Sequence, residues 1–136
     1  MLLFESHPHT VRLPSVGDSK DGYITVAEFE RNIPFPIKRV YWTYFTPQDI
    51  VRGFHAHKAL KQVIFAVSGN IRFIVEDKTG IKTEFELNKP HEGVYLPPYT
   101  WREIHFSHSA VLLCLASEWY EESDYIRDYK EFKGES

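Results

Sequence analysis

A single cysteine, Cys114, stands among the 136 residues, so the chain cannot close an internal disulfide. Its setting in the apolar run AVLLCLAS reads as that of a packed small hydrophobe rather than a reactive thiol. No apolar stretch approaches the roughly 20 residues that a bilayer-spanning helix requires. The opening MLLFESHPHT lacks a basic segment ahead of a long apolar core, so no secretory signal is expected. These absences point to a soluble cytoplasmic protein with no membrane partner. A cationic excess is missing too: the formal net charge of −3 argues against a nucleic-acid partner. Repeats, low-complexity tracts and linkers are also absent, which leaves residues 1–136 as one domain.

What is present is a β pattern. With 43% hydrophobic and 15% aromatic residues the chain has the material for a core. The segments YITVAEF, KRVYWTYF, RGFHAH, QVIFAVSG, IRFIVED, IKTEFEL, GVYLP, WREIHF and AVLLCLAS are short, rich in β-branched and aromatic residues, and separated by Gly, Pro, Asn or Asp. They predict an all-β antiparallel sandwich or barrel. SGN after QVIFAV and DKTG after IRFIVED read as hairpin turns between antiparallel neighbours. Beyond Ser117, Tyr125, Tyr129 and Phe132 recur at three- and four-residue intervals, which predicts a short helical or irregular tail.

Charge is unevenly spread. Between Arg31 and Val75 stand seven basic residues (Arg31, Lys38, Arg39, Arg52, Lys58, Lys61, Arg72) against one acid, Asp49. Cations gathered around one cleft would suit a small polyanion such as a diphosphate. Scattered surface charges account for the same count, so composition alone does not assign them.

Chemistry concentrates in Arg52-Gly-Phe-His-Ala-His-Lys58. Alternate side chains of a strand share a face, so His55 and His57 point into the same space, either the interior or solvent, and with inward orientation they form a site. After His57 come four residues, then Gln62, then six residues, then Gly69. This is the spacing of the first cupin motif, with Gln62 where a metal-binding carboxylate usually stands. The second motif has its counterpart in Pro97-Pro-Tyr-Thr-Trp-Arg102, with Arg102 in place of the third histidine. A guanidinium stays protonated and cannot ligate a metal, and only two of the four usual ligands remain. The expectation is a site with no metal and no cofactor, in which the histidines act as acids and bases.

The stretches IPFPIKRVYW, RGFHAHKALKQVIFAVSGNIRF, GVYLPPYTWREIHF and LASEWYEESDYIRDYKEF resemble those of the dTDP-4-keto-6-deoxy-D-glucose 3,4-ketoisomerases, small RmlC-like cupins of the WxcM-like group. The resemblance spans nearly the whole chain. It implies a cupin jelly roll and metal-independent conversion of a dTDP-linked 4-keto sugar to its 3-keto isomer. The product would feed 3-amino sugar synthesis for polysaccharides such as O-antigen. It also implies a homodimer in which the N-terminal strand crosses to the partner.

The resemblance implies that His55 is the base, that His57 is a second acid/base or an orienting partner, and that Tyr41 of KRVYW lies in the site. Chemistry agrees: a neutral imidazole can remove the proton that the adjacent ketone acidifies on carbon 3. Arg39, Arg52, Lys58, Lys61 and Arg72 are available to the diphosphate, Arg52 and Arg72 foremost. Trp101 or a tyrosine could stack on the thymine. Arg102 of the second motif can hold a sugar oxygen but hardly donates a proton, and Gln62 of the first motif is a further candidate for binding the substrate. The resemblance, through Arg102, favours the gluco over the galacto product. His7, His9, His91, His105 and His108 are given no role. Two other classes fit some of these residues: a metal-dependent cupin oxygenase or isomerase, and a non-catalytic sugar-binding cupin.

Overall fold

Among residues 6–134, which the computed structural model describes, the chain runs through β1 (His9–Arg12), β2 (Ser15–Asp18), β3 (Gly22–Thr25), β4 (Arg39–Thr43), β5 (Val51–His57), β6 (Gln62–Ser68), β7 (Ile71–Glu76), β8 (Lys82–Leu87), β9 (Glu92–Leu96), β10 (Trp101–Phe106), β11 (Val111–Ala116), β12 (Tyr125–Ile126) and α1 (Tyr129–Lys133). One turn of 3-10 helix, Glu122–Asp124, precedes β12. Each of the nine β-patterned runs contains a strand, although YITVAEF does so only at its start. The strands β1 and β2 are too short and too polar to announce themselves by alternation, and β12 is only two residues long.

Two five-stranded antiparallel sheets form, in the orders β1-β9-β6-β11-β4 and β12-β5-β10-β7-β8, and β2 and β3 make a separate hairpin. The sheets lie face to face as a jelly roll and do not close into a continuous barrel. DKTG is the hairpin turn expected of it, since β7 and β8 pair in register from Ile71↔Leu87 to Glu76↔Lys82. SGN is not: β6 and β7 belong to different sheets, so this turn carries the chain from one layer to the other. Gly69 makes the corner, at φ +69, where a Cβ would come within 2.7 Å of the Ala110 backbone.

The main core lies between the sheets and includes Ile64, Phe73, Val75, Leu96, Ile104, Leu112 and Cys114. A second cluster covers the outer face of the first sheet, where Ile33 and Phe35 from the chain before β4 pack on Val63, Phe65, Tyr95 and Leu115. Both faces of β6 and β11 are thus covered at their centres, which is why QVIFAV and AVLLCLA read as continuous apolar runs rather than alternating ones.

The tail is irregular with one short helix, as predicted, but Tyr125 does not share a helical face with Tyr129 and Phe132. Tyr125 lies in β12, which extends the second sheet beside β5, and only Tyr129–Lys133 is α-helical. Asp128 caps that helix by accepting from the Lys130 amide at 2.9 Å. Phe132 anchors it against Ala56, Trp101 and Ile126 on the outer face of the second sheet. Backbone pairing with β5 claims Tyr125, and helical periodicity cannot register a partner that distant in sequence.

Candidate active site

The site begins with an irregularity in β5. Arg102 pairs with His55, but the next residue, Glu103, pairs with Gly53, so β5 carries an extra residue at Phe54. Gly53 has φ +96 and Phe54 φ +54. A Cβ on Gly53 would stand 2.8 Å from the Arg102 carbonyl oxygen. Glycine is what lets the two strands approach here, and the bulge aims His55 into the interior. Ala56 packs outward in the Trp101 cluster, so His55 and His57 share a face, as the alternation predicted, and that face is the inner one. Arg102 from β10, Gln62 from β6 and Tyr41 from β4 converge on the same space.

His55 Nδ1 lies 3.0 Å from the Gly53 carbonyl oxygen. A carbonyl only accepts, so the proton sits on Nδ1 and Nε2 keeps its lone pair. Burial first, and the Arg102 guanidinium second, lower the His55 pKa to about 4. The ring is therefore neutral at physiological pH. His57 is 2% exposed and lies beneath the cavity wall rather than on it, with Nδ1 3.0 Å from Asp124 Oδ2. Burial and Arg102 hold its pKa far below the usual range in spite of that carboxylate. The two histidine rings meet edge to face at 4.9 Å.

Gln62 is wholly buried and joins three groups. Its Nε2 donates to Tyr41 Oη at 2.9 Å and to Cys114 Sγ at 3.4 Å, and its Oε1 accepts from Arg102 Nη1. Arg102 Nη2 donates to the Thr100 carbonyl at 3.1 Å, and its buried Nε has no partner. Neither of these bonds goes to a carboxylate, so among the described residues a positive charge stands inside the jelly roll without a direct counter-ion. Burial presses the Arg102 pKa down and raises that of Tyr41 well above its ordinary value, which keeps the phenol protonated.

These groups open on a cavity of about 560 Å³, of small-ligand size, whose wall includes Arg39, Tyr41, Arg52, His55, Arg102, Tyr125 and Arg127. Among the described residues, four arginines and no carboxylate face it. Of the sequence candidates, Arg39, Tyr41, Arg52, His55 and Arg102 are brought together. Gln62 supports Tyr41 and Arg102 from behind. Arg72 is elsewhere: it is exposed on β7 and pairs with Glu84 at 3.3 Å. Lys58 and Lys61 are surface charges. Trp101 faces outward from the strand that carries Arg102 inward, so it does not reach the cavity. His105 points outward, toward Glu103.

Asp124, Tyr125 and Arg127 were missed. The Tyr125 ring lies 5.1 Å from that of His55 and 4.4 Å from that of His57. Arg127 stacks on it at 4.0 Å while holding Glu122 through two hydrogen bonds. The only trace of them in the sequence was the polar, tyrosine-rich stretch EWYEESDYIRDY. Among the described residues no group of three or more His, Cys, Asp or Glu side chains is arranged to hold a metal ion.

A two-sheet jelly roll that gathers a neutral histidine pair, a buried arginine and a cationic wall around one interior cavity defines an enzyme of the cupin class. Residues 6–136 match the family model for FdtA, WxcM-like, C-terminal. The TDP-4-oxo-6-deoxy-alpha-D-glucose-3,4-oxoisomerase of Aneurinibacillus thermoaerophilus is 42% identical over 124 residues, covering 90% of this chain and 88% of the relative. Among solved structures, QdtA, a sugar 3,4-ketoisomerase from Thermoanaerobacterium thermosaccharolyticum in complex with TDP, superposes with a TM-score of 0.89 at 37% identity over 94% of this chain and 93% of that one. WlaRB, the TDP-quinovose 3,4-ketoisomerase of Campylobacter jejuni, does so at 0.87 and 38% identity over 93% and 97%. The chain belongs to the FdtA, WxcM-like family and is, with these relatives, an isomerase.

Proposed function

We propose that the protein converts TDP-4-keto-6-deoxyglucose to the TDP-linked 3-keto isomer, with His55 as the base. The observation that carries this reading is His55 itself, whose Nδ1 proton is committed to the Gly53 carbonyl and whose bare Nε2 shares a cavity with Arg102 and Tyr41. Nε2 takes the proton from carbon 3, and the electron pair moves through the new carbon 3–carbon 4 double bond onto the carbon 4 oxygen. The unpaired face of Arg102 and the Tyr41 hydroxyl stabilise that enediolate. Return of a proton to carbon 4, with transfer of the carbon 3 hydroxyl proton to the carbon 4 oxygen, completes the shift with no net change in protons or electrons. The relatives named for TDP sugars support the substrate, and Arg39, Arg52 and Arg127 supply the positive wall for its diphosphate.

Incubation with TDP-4-keto-6-deoxyglucose, followed on the sugar ring by NMR, tests the reading, and tight binding with no conversion would overturn it. The chemistry runs without a metal, so turnover should survive chelation. Loss of activity with chelator and its return with a divalent ion would defeat that part. The product is of gluco configuration, a choice supported by Arg102, which holds oxygen but does not deliver a proton, and by the quinovose named for WlaRB. A large trans-diaxial coupling between the protons on carbons 4 and 5 is expected, and a small one reverses the assignment. The 3-keto product suits a transaminase making a 3-amino sugar.

The working form is a cytoplasmic homodimer that exchanges its N-terminal strand. The hairpin of β2 and β3 supports this, because all eight of its strand residues are exposed, Val16, Tyr23 and Ile24 among them. Within one chain β1 lies at the edge of the first sheet on its own β9, and an exchanged strand would take the same register on the partner.

A further inference from the structure

The isomerisation described above makes no use of Asp124, yet both oxygens of its carboxylate are engaged at the site. Oδ2 lies 3.0 Å from His57 Nδ1, and Oδ1 accepts the Ala59 amide at 2.7 Å. The backbone carbonyl of Asp124 accepts the Lys58 amide at 2.9 Å. The next residue, Tyr125, pairs with His57 in the sheet and lays its ring against both histidines. His57 is therefore held at one edge by a carboxylate, on a face by Tyr125 and against the His55 ring at 4.9 Å.

A carboxylate at neutral pH only accepts hydrogen bonds, so a neutral His57 beside Asp124 must carry its proton on Nδ1 and leave Nε2 bare. We propose that Asp124 is a positioning residue of the isomerisation: it fixes the tautomer and attitude of the His57 ring, and through that ring the attitude of the base His55. The inference rests on the ketoisomerase reading for its effect on rate, but its structural half does not. A carboxylate that holds a histidine in one tautomer is a known aid to catalysis, worth on the order of 10²- to 10⁴-fold in turnover where it has been removed.

Asp124→Asn is the discriminating variant. Its Oδ1 still accepts the Ala59 amide, but it now offers an N–H to His57 Nδ1, and this forces the proton of His57 onto Nε2. Long-range 15N–1H correlation of the ring nitrogens should show His57 as the Nδ1–H form in the native protein and as the Nε2–H form in the variant. Turnover of TDP-4-keto-6-deoxyglucose by the variant should fall on the order of 10²-fold or more while TDP affinity stays near native, and Asp124→Glu should recover part of the rate. A native His57 in the Nε2–H form overturns the proposal whether or not any variant folds. So does an Asn variant with native turnover, or one that loses TDP binding and turnover together. If the native protein shows the expected tautomer but converts no sugar, the ketoisomerase reading fails and the Asp124–His57 coupling stands.

Discussion

The most exposed test of the site falls on His55. Its Nε2 is the atom assigned to proton abstraction, so His55→Asn should lower kcat on the order of 10²- to 10⁴-fold and leave TDP affinity nearly unchanged. Retention of native turnover would move the base elsewhere. The pKa of about 4 also predicts a pH profile. In the free enzyme the imidazole is neutral across the physiological range, so kcat/KM should hold level as the pH drops below neutral and decline as it passes through about 4. An acid limb at the ordinary histidine value, near 6.5, would show that burial and Arg102 do not govern the ring. Stability has its own sign. Above about 6.5 neither the folded nor the unfolded chain protonates this ring, so it adds no cost there. Between that value and about 4 the unfolded chain binds a proton that the folded ring refuses, and stability falls.

Among the elements, α1 has an influence out of proportion to its five residues. Phe132 is buried beneath it, Tyr129 Oη donates to Glu76 at 2.7 Å and Lys133 Nζ to the same carboxylate at 2.8 Å. These contacts close the C-terminal segment over the second sheet, and the segment brings Asp124, Tyr125 and Arg127 to the histidines. Phe132→Ala should cost about 3–5 kcal/mol in denaturant unfolding, the usual range for a buried phenylalanine. It should also depress turnover more than a surface substitution of equal size, since β12 loses its anchor. A loss below about 1 kcal/mol would mean that Phe132 is not a core residue. The bulge in β5 matters at this same scale. Gly53→Ala places a methyl against the Arg102 carbonyl at a φ unfavourable to alanine, and should disturb β5 and His55 together.

For the whole molecule, the exposed apolar residues point to association. Val40 and Trp42 of β4 are exposed at a sheet edge, as are Val16, Tyr23 and Ile24 of the β2–β3 hairpin, and an isolated two-stranded hairpin is marginal in water. Light scattering should give about twice the 16.0 kDa of one chain, and a lone 16.0 kDa species would defeat the dimer.

The sequence by itself determined the β class, nearly all the strands of the two sheets, and the shared face of His55 and His57, because side-chain alternation is local and survives in any fold that keeps the strand; that this face is the inner one came from the packing of the sheets. It also marked Gln62 and Arg102 as residues standing where metal ligands would otherwise be. Only the tertiary structure decided which cations matter. Arg39 and Arg52 reach the cavity and Arg72 does not, because sheet register and a β-bulge, not proximity in sequence, set where each side chain arrives. The SGN turn changes layers for a related reason: a turn motif specifies a reversal but not the sheet that receives it. Asp124, Tyr125 and Arg127 were invisible because their roles come from pairing with β5 some 67 positions away, a contact made by the closed chain and by no local pattern.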